Sequence, residues 1–597
     1  MQNNLQPQDK EYNRNMTLAL VLIVLFMGGW YYFYETPHIR AAQEQRQKAL
    51  AAEVLKAREL QALQDKNAPQ AVAPAKPLTP QPRETIIAGS DRIKISTGTL
   101  HGSINLTGAR IDDISLSKYK ETLDKNSKDV PFLAPAGTEA PEFIETGWIS
   151  ADKSILAPSA DTKWQVEGNS TLTPTTPVTL TWDNGLGVKF ITKISIDENY
   201  MFAIDQSIQN NTSSAASFFP YALISKTEPK TVKAALGAMR AGPLGVMDGT
   251  LKYVSYDNLR ETPRKEFPNS TGWIGITDKY WAAALIPAQN ETYTANYRYF
   301  TDNDNEKFQV DYLGKAHVAA PNGTATYSAK FFAGAKELKV LDAYGSKYNL
   351  RMFERLIDFG WWYFLSEPMM KLLIIFYSHI GNAGLAILAL TFCVKLCLFP
   401  LARKSYISMG RIRDLTPKIT QLREQYKNDK MELNKQTMQL YKKEKVNPAS
   451  GCLPVLLQMP IFFALYKVFY VSIEMRHAPF FGWIHDLSEK DPTSIFNLFG
   501  LIPLDLPTSL MIGALPCIWA CTMYVQQQLQ PPIADPTQAK VIKGLPLMLV
   551  FLFAKMPAGL VVYWIFSNTM TIFQQLYFIK YHGQRIDPVI PAISIND

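Results

Sequence analysis

Residues Leu388–Pro400 read LALTFCVKLCLFP, twelve residues that suit hydrocarbon and one full positive charge, Lys395. A charge at membrane depth costs roughly 3 kcal/mol on insertion scales, so it normally faces protein or water. Lys395 lies five residues before Pro400, about 7 Å along a helix axis. Its stem could therefore snorkel to the headgroups, and taken alone the residue leaves snorkelling and function equally open. Thr391, one helical turn earlier, shares its face, while Cys393 and Cys397 point away.

Outward from this stretch, the chain has 597 residues and a formal charge of +8, long enough for at least two domains. No basic block with interleaved aromatics stands out, which argues against nucleic acid as a partner. All five cysteines, Cys393, Cys397, Cys452, Cys517 and Cys521, fall in or beside apolar segments of the second half. They read as small apolar fillers rather than a metal site. No cofactor is expected.

Met16–Tyr34 is 19 residues without a charge, closed by Trp30, Tyr31, Tyr32 and Tyr34. Its length matches roughly 30 Å of hydrocarbon, and no signal-peptidase-like A-x-A follows, so it reads as an uncleaved anchor after a short N-terminus, 1–15. Residues 35–83 end in a Pro/Ala-rich linker. Between 84 and 345 the texture is period-two alternation, as in VTLTW, DNGLG and VKF from Val178 to Phe190 and in RIKIS, KISI, NYRYF and KFQVDYL. That predicts a large antiparallel sandwich. It holds no nucleophile or metal constellation, and His101 and His317 read as structural.

Residues 346–378 are apolar but interrupted by charges and Pro368, as in a helix lying in the membrane interface. Further spans are expected at 380–399, 451–473, 509–528, 545–557 and 558–579. The last two come from dividing a 35-residue run whose only charge is Lys555 at KMPAG. Between them lie a basic helical hairpin (400–450), an acidic loop (474–508) and a loop at 529–544; a tail, 580–597, follows. Leu401–Asn447 carries twelve Lys/Arg against five Asp/Glu, and Leu415, Ile419, Leu422 and Tyr426 mark one face of its first arm. Glu474–Thr508 carries two Lys/Arg and five acids. The positive-inside rule puts the hairpin and both termini in the cytoplasm and the β-domain outside, in the periplasm of a bacterial inner membrane. A cysteine-free exported domain is compatible with that compartment.

The last span carries a polar stripe: Tyr563, Ser567, Thr571 and Gln574, flanked by Trp564, Asn568 and Gln575. Gln458 interrupts the third span. Such residues can be interhelical glue; together with Lys395 they suggest a shared wet cavity. No catalytic dyad, metal site or phosphate loop accompanies them, so the chain does not read as an enzyme.

VNPASGCLPVLLQMPIFFALYKVF (Val446–Phe469), IEMRHAPFFGWIHDLSEKDP (Ile473–Pro492) and MPAGLVVYWIFSNTMTIFQQ (Met556–Gln575) resemble the YidC/Oxa/Alb insertase family, in its Gram-negative form with a large periplasmic domain. The resemblance implies a five-helix core after the anchor, a hydrophilic groove open to cytoplasm and lipid, and a β-supersandwich of sugar-mutarotase type. It further implies insertion of nascent membrane proteins into the bilayer, alone or with the Sec translocon, and contact of the hairpin with the ribosome and signal-recognition targeting machinery. The family's TFxVR stands here as TFCVK, so Lys395 takes the groove cation's place, and the substrate-facing aromatic pair falls on Tyr563 and Trp564. The groove set is thus Lys395, Thr391, Gln458, Tyr563, Trp564, Ser567, Asn568 and Thr571. Two other classes stay open on residues alone. One is a small-anion transporter using Lys395 as counter-charge; the other is a membrane-anchored envelope receptor for sugars.

Overall fold

A computed structural model describes residues 80–582 apart from 125, 229–240, 303–304, 428, 445, 447–452, 501, 503–511 and 531–535. The expected anchor at 16–34, most of the linker and the C-terminal tail lie outside the described residues.

The alternating stretches form strands. Val178–Asp183 and Val188–Ile196 pair antiparallel from Val178↔Ile194 to Asp183↔Lys189. Their turn is held by the Asn184 side chain, which accepts from the Leu186 and Val188 amides, and uses Gly185 and Gly187 at positive φ. Among the described residues an eleven-stranded and a nine-stranded sheet result. Met201–Asn210 and Gly323–Ala335 pair over ten residues in the smaller sheet. Ala216–Glu228 lies between Glu142–Ser150 and Asn305–Leu313 in the larger. Apolar side chains of both sheets, such as Ile224, Val310, Phe202 and Phe331, share one buried core. Among the described residues the sandwich is antiparallel but for one short parallel pair, Arg92–Ser96 with Thr171–Leu172. His101 and His317 are both tied into it: His101 Nδ1 lies 3.2 Å from Ser117 Oγ, and His317 Nε2 lies 3.2 Å from Glu291 Oε2.

The outer face of the larger sheet buries a polar layer in which Asp311, fully buried, is 3.1 Å from Arg298 and accepts from Gln309 and Asn296. Burial outweighs those partners and pushes its carboxyl up to about 6. The folded value lies above the unfolded one. The protonated form's contribution is therefore complete below about pH 4 and is lost as pH rises through about 6. Thermal unfolding at pH 4.5 and 7.5 should show Asp311→Asn shedding a pH slope on the order of 2–3 kcal/mol relative to the parent. Parallel slopes would contradict this.

The chain leaves the sandwich through α1 (Leu338–Lys347) and a short 3-10 turn at Phe353–Leu356, and then enters α2 (Tyr363–Ile380). The single interfacial segment expected at 346–378 is thus broken in two, because Asn349 and Met352 adopt positive φ and stop the helix. Gly381 closes α2 at φ 75°, and Asn382 caps α3 (Ala383–Gln425) by accepting from the Leu385 amide at 3.0 Å. The expected span at 380–399 and the hairpin from 400 meet without a break: α3 runs through Pro400 and Pro417 for 43 residues. Span and first hairpin arm are one rod. The second arm is α4 (Lys430–Lys443), capped by Asp429, and Leu415 and Ile419 pack with Val446 between the arms.

α5 (Leu453–Val471), α6 (Ala514–Gln528), α7 (Pro536–Phe553) and α8 (Ala558–His582) complete the helical region. α7 starts nine residues ahead of the expected 545 and takes in part of the expected loop. The break at KMPAG is real: the first amides of α8, Ala558 and Gly559, donate to the carbonyls of Glu489 and Leu487. Asp491 plays the matching part for α6, accepting from the Leu515 amide at 2.8 Å and from Trp483 Nε1 at 3.2 Å. Asp491→Ala should cost about 1–2 kcal/mol, read as a lower thermal midpoint of the detergent-solubilised protein; Asp491→Asn should recover most of it.

By length and hydropathy, α3 alone among the described helices qualifies as a membrane span, and Gln458–Val471 is a shorter apolar run. The helices nevertheless present large apolar side chains outward, including Phe392, Leu396, Phe463, Leu547, Met548, Phe551 and Phe573. A water-exposed surface of this kind would be a liability.

Candidate functional site

Lys395 sits half-buried on α3, two turns below Ile387. Its Nζ donates to Thr571 Oγ1 of α8 at 3.0 Å, and Thr571 in turn donates to the Ser567 carbonyl at 2.9 Å. One helix supplies the cation and the other a hydroxyl with a lone pair to spare. Among the described residues no carboxylate forms an ion pair with Lys395. The Leu396 and Cys397 side chains face outward, so the charge points into the bundle rather than along its surface.

Around it α3, α5, α6 and α8 enclose a cavity with about 190 Å³ of room for water centres. About 10–15 Å³ suffices for one water, so several fit. The polar lining is Lys395, Gln458, Ser567, Asn568, Thr571 and Gln574, with Tyr406 and Gln526 toward the hairpin end. Leu398, Met459, Met523 and Trp564 supply apolar wall. Asn568 Nδ2 donates to Thr522 Oγ1 of α6 at 3.2 Å. Polar atoms of the wall, Trp564 Nε1 and Gln526 Oε1 among them, have no hydrogen-bond partner among the described residues. Buried polar groups are rarely left so, and a wet cavity answers them. Among the described residues Lys395 is the only charged one of the lining. The arrangement offers a fixed positive charge and neutral hydrogen-bonding groups, but no nucleophile–base pair. Among the described residues no cluster of metal-ligating side chains occurs.

Of the eight residues expected at the groove, six line this cavity. The other two do not. Thr391 is fully buried, and its hydroxyl donates back to the Ile387 carbonyl at 2.7 Å. It belongs to the packed layer above the cavity. Tyr563 is 1% exposed and stands behind the wall, where its hydroxyl accepts from Gln458 Nε2. It positions Gln458 rather than facing the space. Tyr406 and Gln526 were not anticipated as lining. Tyr406 lies beyond the expected span, in the hairpin's first arm; its hydroxyl is 3.5 Å from Gln574 Oε1. Cys393 and Cys397 stand on the outer side of α3, intermediate and exposed, as apolar fillers would.

Comparison with known proteins agrees with the two-part architecture. The family model for the YidC periplasmic domain matches residues 92–372, and that of the 60Kd inner membrane protein matches 375–585. The membrane protein insertase YidC of Rickettsia akari is 43% identical over 569 residues, covering 95% of this chain and 99% of that protein. Its counterpart in Rickettsia conorii is 42% identical with the same coverage. A crystal structure described as an active YidC insertase with its first transmembrane domain resolved covers 81% of this chain and 92% of that one. It is 18% identical, with a TM-score of 0.34. On the strength of sequence identity along nearly the whole chain, this protein belongs to the YidC family of membrane protein insertases, with a β-sandwich periplasmic domain and a C-terminal helical region.

Proposed function

We propose that the chain inserts nascent inner-membrane protein segments from the cytoplasm, with the Lys395 cavity as the way station for the polar part of the substrate. Family membership favours this reading over an anion transporter or a sugar receptor. The observation that carries it is a lysine held by Thr571 in a roomy polar cavity, with no carboxylate paired to it among the described residues. An acidic or polar tail pays a large desolvation cost in lipid. A wet, positively charged cavity offers it an intermediate, and attraction to an anionic tail grows as the dielectric falls. The substrate's apolar segment then leaves sideways past the outward-facing apolar residues of the helices, driven by its own burial.

In this reading the protein crosses the membrane six times: at 16–34, with the first part of α3, and with α5 to α8. The basic hairpin and both termini lie in the cytoplasm and the sandwich in the periplasm, as the charge difference between hairpin and acidic loop supports. α6 has 15 residues, about 22 Å, short of a typical bilayer core of about 30 Å, which favours local thinning of the path left to cross. The exposed lysines and arginines of the hairpin suit the ribosome and the targeting machinery, and the Sec translocon is a fitting partner at the lipid-facing side.

A photo-crosslinker placed in turn at Lys395, Gln458 and Trp564 tests the route. A stalled single-span nascent chain should label from all three and not from Thr391. Labelling by lipid alone at Lys395 would refute the groove.

A further inference from the structure

α5 carries a feature that extends beyond the cavity. Met459 lines the cavity, and Phe462, Phe463, Tyr466 and Tyr470 follow it at helical spacing on one half-exposed face. Their rings form a ladder. Centroids lie 5.7 Å apart from Trp564 to Phe462, 6.3 Å from Phe462 to Tyr466, and 5.7 Å from Tyr466 to Tyr470, the last pair with planes 17° apart. From Met459 to Tyr470 is eleven residues, about 16 Å of axis.

The ladder ends on two cations from different parts of the chain. Lys279 stands in the turn between the strands Gly272–Thr277 and Trp281–Ile286. Its Nζ is 4.5 Å from the Tyr470 ring centre and 4.7 Å from that of Tyr280. Arg476, just past the end of α5, has its guanidinium 5.9 Å from the Tyr280 ring and 5.5 Å from Trp281, and it donates to the Glu121 carbonyl at 3.3 Å. Both residues are half-exposed. Among the described residues neither forms an ion pair. Partial burial pulls the Arg476 guanidinium below its ordinary value, and Asp486 and Glu489 attract it without reaching pairing distance. Aromatic rings hold a cation through their quadrupole, and unlike a carboxylate they leave its net charge in place.

We propose that Lys279 and Arg476 form a receiving site for carboxylates of the translocated tail. The proposal rests on the insertion reading for what arrives there. A tail held by Lys395 alone has no electrostatic reason to leave, and it would keep the apolar segment behind it from settling. A second pair of cations at the far end of the ladder lets the carboxylates exchange one positive partner for another. The apolar segment meanwhile lies along the rings of α5. Both cations are already placed by the rings, so an incoming anion orders little. The continuity of the ladder with the Lys395 cavity is what favours a tail over a lipid headgroup.

The test uses full-length protein in phosphatidylcholine nanodiscs, with the photo-crosslinker benzoylphenylalanine in place of Glu121. That residue is exposed and meets Arg476 through its backbone. The probe is a rhodamine-tagged peptide of alternating glycine and aspartate, and the control has asparagine for aspartate. The acidic peptide should label the protein. Lys279→Gln with Arg476→Gln should cut that labelling at least about tenfold, whereas Lys279→Arg with Arg476→Lys should stay within about threefold of the parent. If the first double variant does not fold, Lys279→Gln and Arg476→Gln should each lose about threefold alone.

Equal labelling of the parent and the charge-removing variants, or equal labelling by the two peptides, would overturn the receiving site. Capture of phosphatidylglycerol once that lipid is added, with no displacement by the acidic peptide, would overturn it too, because the site would then hold a headgroup. Labelling of the substrate-free protein does not depend on insertion. Failure of the insertion reading would be seen separately, in the crosslinking from Lys395, Gln458 and Trp564.

Discussion

Replacing Lys395 with glutamate is expected to lower insertion of a single-span substrate with an acidic tail by at least about thirtyfold, equivalent to roughly 2 kcal/mol. Two unit charges about 4 Å apart interact by about 4 kcal/mol at an effective dielectric of 20. Desolvation of both groups offsets part of this, and reversal turns the remainder from attraction into repulsion. Lys395→Ala removes only the attraction and should cost about tenfold by the same arithmetic. Lys395→Arg keeps the charge and adds a planar fork; the wild-type cation is held by one hydroxyl, Thr571, so the step needs the charge rather than a fork, and activity should stay within about threefold of the parent. A tail without acidic residues should be indifferent to all three. Protease protection of the translocated tail in vesicles reads each case. If the glutamate variant inserted acidic and neutral tails alike, the cavity's charge would have no part in the step.

The features legible in the sequence are those whose physics is local. Val178–Phe190 is a hairpin because side chains alternate and two glycines turn the chain, and no distant partner is needed to see it. Tyr563, Ser567, Thr571 and Gln574 are a stripe because a helix repeats every three to four residues. Lys555 and Pro557 mark a break because both disfavour an unbroken apolar helix. What the local pattern does not settle is what lies opposite each face. Thr391 and Lys395 share a face, yet one hydroxyl folds back onto Ile387 while the other side chain reaches a full turn further to Thr571. Spacing alone treats them as equals.

Pro400 misleads for a related reason. A proline inside a helix removes one hydrogen bond, and the residues that follow it read by charge as a hairpin outside the membrane rather than as part of the groove. In the fold Tyr406 and Met409, beyond it, are buried against Phe578 of α8. α8 contacts therefore continue along α3 past the proline and repay the lost bond. That continuity brings Tyr406 into the cavity lining. The polar layer of the sandwich was hidden too: Asp311 and Arg298 fall on the face that period-two alternation assigns to solvent, and only the assembled sheet shows them buried.

Removing the amine of Lys467 should destabilise the helical region by about 3–5 kcal/mol. Lys467 Nζ lies 2.7 Å from Asp358 Oδ2, and the Asp358 side chain is only 5% exposed. The Gly360 amide donates to the same carboxylate at 3.1 Å, and the Lys467 stem lies against Gly360 at φ +70°. Lys467→Ala takes the ammonium away from the buried Asp358 carboxylate, whereas Lys467→Ala with Asp358→Ala removes both charges. The double variant should therefore be less destabilised than the sum of the singles by about 2 kcal/mol or more. Chemical denaturation of the four proteins in detergent gives this coupling, and a value under about 0.5 kcal/mol would contradict it. The pair also has a functional reach. Asp358 belongs to the strap between sandwich and α2, while Lys467 sits on α5 nine residues from Gln458, about 13 Å along one rigid helix. The same end of α5 meets the sandwich directly, since Lys279 stands 4.5 Å over the Tyr470 ring. Loosening that end should blur the Gln458–Tyr563 contact and lower insertion of acidic-tailed and neutral substrates equally, unlike substitution of Lys395, which should discriminate between them.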